Sequence, residues 1–212
     1  MTIRLIQKPR DIQNKEKLSE NGSWCWHNEI EEEVCNNIDS WEWDYYTWLN
    51  IFNSEEIKQI NKLVEDNHSG LENPKIGAEW KKISTVKGIS FGKMKPLVGE
   101  LIDQAISIAE LDFGYTIFKP HNSIHLNHNI YRSDSKDNYD WHADKSQKPT
   151  FDMKLTLLIN LSEELYEGGE FQLLSTNKEN TINEFSKPGS AFMFKSHILH
   201  RVLPVTSGTR KS

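Results

Sequence analysis

Three residues from two separated stretches of the chain could share one metal ion. His142 and Asp144 stand one residue apart, His200 lies far beyond them, and Arg210 follows ten residues later. On a strand, residues i and i+2 point to the same face, so His142 and Asp144 can offer an imidazole and a carboxylate together. Such a pair on its own is a weak signal, since His-x-Asp arises by chance and more often makes a surface hydrogen bond. The second imidazole changes its meaning. Two imidazoles and one carboxylate on one side of an ion leave three positions open, the donor set of non-haem iron(II) sites that must admit both a co-substrate and dioxygen. Arg210 adds a planar fork suited to bidentate capture of a carboxylate.

Such side chains need a rigid frame, and the sequence supplies one. After Phe113, short alternating stretches recur at Ser123–Tyr131, Met153–Leu161, Glu170–Leu174, Ser190–Lys195 and Ile198–Val202. Turn signals separate them at Lys119-Pro120, Gly168-Gly169, Pro188-Gly189 and Ser207-Gly208. This spacing predicts a double-sheet barrel of jelly-roll or cupin type. Upstream, Tyr45–Phe52 reads as a strand. Asn53 and Glu56 form a capping box, with Phe52 and Ile57 as a hydrophobic staple, so a helix starts there and Gly70 is the expected stop. A second helix is expected from Pro96, with Leu97, Leu101, Ala105, Ile108 and Ala109 as its apolar stripe. The fold class is therefore α+β: a barrel braced by N-terminal helices.

Composition narrows the partners. The 212 residues are 36% hydrophobic and 26% charged, with a net charge of −6. That suits one globular domain with an extension, and makes a nucleic-acid interface built on a basic stripe an unlikely expectation. No apolar run approaches a membrane span and Met1–Gln7 lacks a signal-peptide pattern, so the expected location is cytoplasmic, away from any membrane. Cys25 and Cys35 are the only cysteines and read as reduced thiols; a Cys25/His27/Cys35 metal site would lack a fourth ligand. Residues 1–40 form an expected extension, packed on the core because Trp24, Trp26, Trp41 and Trp43 would be costly to leave in water, and residues 41–212 the main domain. Oligomeric state is not legible.

The motifs also carry a resemblance. Tyr139-Asp140-Trp141-His142-Ala143-Asp144, Glu167-Gly168-Gly169-Glu170-Phe171 and His200-Arg201-Val202-Leu203-Pro204 through Arg210 resemble, in that order, the iron/2-oxoglutarate oxygenases of the prolyl-4-hydroxylase-like branch, above all the PKHD-type hydroxylases. The likeness covers residues 45–212. It implies a double-stranded β-helix in which His142, Asp144 and His200 bind Fe(II). It further implies that Arg210 pairs with the distal carboxylate of 2-oxoglutarate and that Tyr131 hydrogen-bonds this co-substrate. The implied reaction consumes O2, hydroxylates an aliphatic C–H of a peptidyl proline or a free amino acid, and releases succinate and CO2, with ascorbate as an accessory. Related halogenases lack a carboxylate where Asp144 stands, so hydroxylation is the expected outcome.

Rival residues can be ranked. His197 competes with His200, and the family pattern of His before Arg-Val favours His200. His121, His125 and His128 tempt a second metal site, but strand parity sets His125, Asn127, Asn129 and Tyr131 on one face and His128 on the other. The polar face is expected to line the cavity, with Asn127 and Asn129 touching co-substrate or substrate, against the alternative of a solvated edge strand. Met153, Leu155, Leu157, Ile159 and Leu161 read as core, with Lys154, Thr156 and Asn160 facing the pocket. Ile76–Ile89 and Ser133–Asn138 are the expected substrate loops. Two other classes compete: a zinc-dependent hydrolase, which needs a placed general base, and a catalytically silent cupin-like binding module, which would have lost a ligand or the arginine.

Overall fold

The computed structural model describes residues 45–72, 82–144, 153–175 and 178–212, and the backbone of three short strands nearer the N-terminus. Those strands, β1 (Lys17–Leu18), β2 (Trp24–His27) and β3 (Glu33–Asn36), form an antiparallel sheet with Cys25 in register with Cys35. The expected packing of residues 1–40 and the boundary at residue 40 lie outside the described residues.

Strand β4 (Tyr45–Trp48) leads into α1 (Ser54–Asn67). The capping box forms as the sequence indicates: Asn53 Oδ1 accepts from the Glu55 and Glu56 amides, and the Glu56 carboxylate accepts from the Asn53 amide. The staple residues Phe52 and Ile57 are both buried. The helix stops at His68 rather than Gly70, because the chain turns directly into β5 (Ser69–Glu72). Then come β6 (Lys82–Ile83), β7 (Thr85–Ser90) and α2 (Phe91–Asp112). Thr85–Ile89, expected as part of a substrate loop, is thus a paired strand. Helix α2 begins at Phe91, not Pro96. The amides of Phe91 and Gly92 donate to the carbonyls of Ile124 and Asn122, so a distant loop satisfies donors that a helix start leaves open.

The barrel follows: β8 (His125–Arg132), β9 (Asn138–His142), β10 (Leu155–Ile159), β11 (Glu167–Gly168), β12 (Phe171–Ser175), β13 (Lys178–Thr181), β14 (Ala191–Lys195), β15 (Leu199–Val202), β16 (Val205–Ser207) and β17 (Thr209–Lys211). One sheet runs β13-β12-β15-β9-β6. Across from it lie β10-β14-β4 and β17-β8-β7-β5, joined where the Leu161 amide donates to the Lys211 carbonyl. This double-sheet arrangement is the double-stranded β-helix.

Alternation sorts the core. On β14, Phe192 and Phe194 join Phe171, Leu173, Phe185 and Val202 between the sheets, while Ala191 and Met193 join Ile60, Val64, Val98 and Leu101 of the helices. On β10, Leu155, Leu157 and Ile159 pack toward the helices as expected, but Met153 is exposed, lying ahead of the strand. Among the described residues no helix is long and apolar enough to cross a membrane.

Candidate metal centre

Strand pairing brings the histidines together. His142, the last residue of β9, is in register with His200 of β15. Asp144 lies two residues past the end of β9, where its amide donates to the Ser196 carbonyl at 3.0 Å. Donor atoms of His142, Asp144 and His200 all fall within 4.8 Å of one another. His142 Nε2 stands 3.9 Å from Asp144 Oδ1, and His200 Nε2 stands 3.7 Å from Oδ2. No other such group occurs among the described residues. His197 is exposed and outside the cluster, and His121 is exposed with its ring on Ser123.

Each ligand is held from behind. His142 Nδ1 is bonded to the Asp140 carbonyl at 2.7 Å and His200 Nδ1 to the Ile198 carbonyl at 2.9 Å. A carbonyl only accepts, so both Nδ1 atoms carry the proton and both Nε2 lone pairs face the shared space. Thr156 Oγ1 donates to Asp144 Oδ2 at 2.6 Å and is itself tied to Ser196 Oγ. Tyr139 stacks on His142 at 3.4 Å between ring centroids, and Phe171 and Phe194 flank His200. Burial, helped by the neighbouring His200, pulls the His142 pKa down to about 4, and burial lowers that of His200 as well. Both rings are therefore neutral, the form that binds a metal.

Arg210 sits on β17 opposite Tyr131 of β8. It is 1% exposed, with its guanidinium over the rings of Tyr131 and Phe185. Nη1 donates to Ser212 Oγ at 3.3 Å, while Nη2 is buried with no partner. Where the sequence predicts a turn, Gly168 instead ends β11 in register with Val205 of β16, and Gly169 follows it against Arg210. Gly169 has φ +65°, and a Cβ there would lie 3.0 Å from Arg210 Cδ.

A cavity of about 450 Å³ joins these parts, lined by His142, Asp144, His200, Arg210, Tyr131 and Thr156, among others. His125, Asn127, Asn129 and Tyr131 of β8 contribute to its lining, but so do Leu126 and His128 of the opposite face, so parity alone does not separate them. Burial lifts the Tyr131 pKa to about 12, so its hydroxyl keeps its proton. Of the residues expected opposite the β10 core, Thr156 reaches the site. Asn160 instead donates to the Phe185 and Ser186 carbonyls, and Lys154 lies over the Tyr115 ring. Lys82 falls inside the expected substrate loop Ile76–Ile89, though nothing in the sequence singles it out as a site residue. It lines the same cavity, 9% exposed, and Nζ donates to Asn129 Oδ1 at 2.8 Å. Its two-residue strand gives no periodic signal.

Two neutral imidazoles and a carboxylate at the end of a β-helix strand pair define a divalent-metal centre with nitrogen and oxygen donors, and the donor set fits ferrous iron. Comparisons agree. Residues 126–212 match the model of the 2OG-Fe(II) oxygenase superfamily. A PKHD-type hydroxylase of Synechococcus sp. (strain CC9605) is 34% identical over 83 residues, which are 38% of this chain; the chain spans only 36% of that relative's length. The fold is shared with a Pseudomonas putida prolyl-4-hydroxylase (TM-score 0.59, 13% identity, 79% of this chain and 88% of that one). It is also shared with a viral collagen prolyl hydroxylase from Paramecium bursaria Chlorella virus-1 (TM-score 0.55, 15% identity, 82% and 95%). Over residues 126–212 the chain is thus similar to 2OG-Fe(II) oxygenases, and it shares its fold with prolyl hydroxylases. Fe(II), 2-oxoglutarate and O2 are the partners this family uses.

Proposed function

We propose that the protein is a 2-oxoglutarate-dependent dioxygenase that hydroxylates an aliphatic C–H bond and releases succinate and CO2. One observation carries the reading: a neutral His-Asp-His donor set shares a cavity with a buried guanidinium whose Nη2 has no partner. His142, Asp144 and His200 would hold the ferrous ion, whose chemistry when bound is to combine O2 and 2-oxoglutarate into an oxidant. Arg210 would hold the distal carboxylate of 2-oxoglutarate, its fork backed by Ser212 and the Tyr131 and Phe185 rings. Tyr131, protonated at neutral pH, can donate to the same ligand. Thr156 fixes the Asp144 carboxylate. Leu158 and Phe171 are among the apolar side chains lining the cavity, which limits water around it.

A hydrolase is disfavoured because, among the described residues lining the cavity, no second carboxylate stands ready as a general base. A silent binding module is disfavoured because no ligand is missing. For substrate, we favour a peptidyl proline or a free amino acid; support comes from the prolyl hydroxylases that share the fold, one of them, from Trichoplax adhaerens, in complex with a peptide fragment. The test is anaerobic addition of iron(II) and 2-oxoglutarate. A weak visible charge-transfer band should appear in the wild type and vanish in Asp144→Ala. If the wild type shows no band and releases no succinate, the proposal fails.

A further inference from the structure

The cavity contains a second cation that the oxygenase scheme does not use. Lys82 reaches into it from β6, a short strand paired with β9 through Lys82 and Tyr139. Its ammonium lies 4.8 Å from the Tyr139 ring centroid, and Tyr139 in turn stacks on His142. No carboxylate among the described residues pairs with it. Asp144, the one described acid lining the cavity, is engaged by Thr156 and belongs to the metal set. A buried ammonium without a counter-charge is costly to retain, and burial holds its pKa down to about 8, still mostly charged at neutral pH.

Its single hydrogen bond sets the polarity of what surrounds it. An ammonium only donates, so Asn129 must turn its Oδ1 to Lys82 and its Nδ2 amide group outward. Asn129 shares a cavity-facing side of β8 with Tyr131, and its backbone pairs with Ser212 as that of Tyr131 pairs with Arg210. Two remaining N–H groups of Lys82 and the amide of Asn129 are all donors. This locus lies two residue pairs along the strands from Arg210, on the same face of β8. With a divalent ion, Lys82 and Arg210 against Asp144, a dianionic co-substrate leaves the cavity one positive charge in excess.

We infer that Lys82, with the Asn129 amide, forms a second carboxylate-binding site in this cavity, separate from Arg210. The inference deepens the oxygenase reading and rests on it. The carboxylate has two sources: the metal-side end of 2-oxoglutarate, or an acid group on the substrate. Neither source changes the chemistry of recognition, a charge-assisted hydrogen bond in a site shielded from water.

The test uses the full chain loaded with manganese(II), without oxygen, as wild type, Lys82→Met, Lys82→Arg and Asn129→Asp. The last variant keeps the lysine and cancels its charge in place, which guards against a Lys82→Met protein that does not fold. Calorimetric titration with 2-oxoglutarate is the first arm. Roughly tenfold weaker binding in Lys82→Met and Asn129→Asp, with Lys82→Arg near wild type, assigns the site to the co-substrate. The second arm follows manganese broadening of the acetate methyl proton line, with and without 2-oxoglutarate. Acetate binding that persists beside 2-oxoglutarate in the wild type, is absent for acetamide, and falls roughly tenfold in the two variants assigns it to the substrate. A wild type that takes up no 2-oxoglutarate would count against the oxygenase reading, and the acetate arm would still decide for Lys82. Wild-type behaviour of both charge-cancelled variants in both arms overturns the inference.

Discussion

Replacing Arg210 by methionine should move stability and ligand binding in opposite directions. The guanidinium is 1% exposed, has one hydrogen bond at 3.3 Å, and buries Nη2 with no partner. A buried orphan donor costs about 1–3 kcal/mol, and the Tyr131 and Phe185 faces return about 0.5–2 kcal/mol. Methionine keeps most of the packing, so the ligand-free variant should match the wild type or exceed it by roughly 1 kcal/mol, or about 2–4 °C in Tm at this size. Binding should suffer. Losing paired, charge-assisted hydrogen bonds of about 3 kcal/mol weakens 2-oxoglutarate by about 100-fold. At a concentration 100 times the wild-type Kd, the wild type gains about 2.7 kcal/mol of stability and such a variant about 0.4 kcal/mol. Differential scanning calorimetry of the manganese-loaded proteins, with and without 2-oxoglutarate, would read this as a crossing: the variant melts no lower without ligand and clearly lower with it. A variant that melts lower by the same margin in both conditions would show Arg210 to be a packing residue and refute the reasoning.

Three further outcomes are expected. Thr156→Val removes the hydrogen bond to Asp144 Oδ2 and should weaken manganese or zinc binding by about 10–100-fold with the fold retained, measured by metal titration; unaltered affinity would mean the carboxylate needs no such support. Asn53→Ala deletes the α1 cap and should cost about 1 kcal/mol in urea unfolding while leaving metal affinity alone. His128 is bonded to Asn61 beneath α1, and burial first, then the nearby Lys211 and Lys87, takes its pKa down to about 4. The unfolded chain binds this proton near pH 6.5 and the folded one only near 4, so stability is full above 6.5 and falls by up to roughly 3 kcal/mol between them. His128→Gln should flatten that part of the stability–pH curve, and an unchanged slope would remove the explanation.

The grouping of His142, Asp144 and His200 was legible because the His142–Asp144 pair, the glycine pair and His200–Arg210 occur as an ordered set; strand parity does not account for it, since β9 ends at His142 and Asp144 lies beyond the strand. Local signals also read well: Asn53 and Glu56 fold as their side chains dictate. What escaped depends on distant partners. Helix α2 starts five residues before Pro96 because carbonyls of Asn122 and Ile124, some thirty residues away, complete its first turn. Asn160 has the parity of a cavity residue, yet its amide is claimed by the carbonyls of Phe185 and Ser186. Lys82 gives no sign of its position, since only its pairing with Tyr139 carries it beside the metal centre.

The metal set does not belong to one sheet. Both imidazoles ride on neighbouring strands of β13-β12-β15-β9-β6, whereas Asp144 is held through its carboxylate by Thr156 of β10 and through its backbone amide by the carbonyl of Ser196 just after β14, on the opposing layer. Sliding one layer over the other by a fraction of an ångström would draw Asp144 away from the histidines without breaking a single ladder bond. Heat should therefore loosen a bound divalent ion before it melts the barrel, and metal affinity should fade at temperatures where the backbone still looks native.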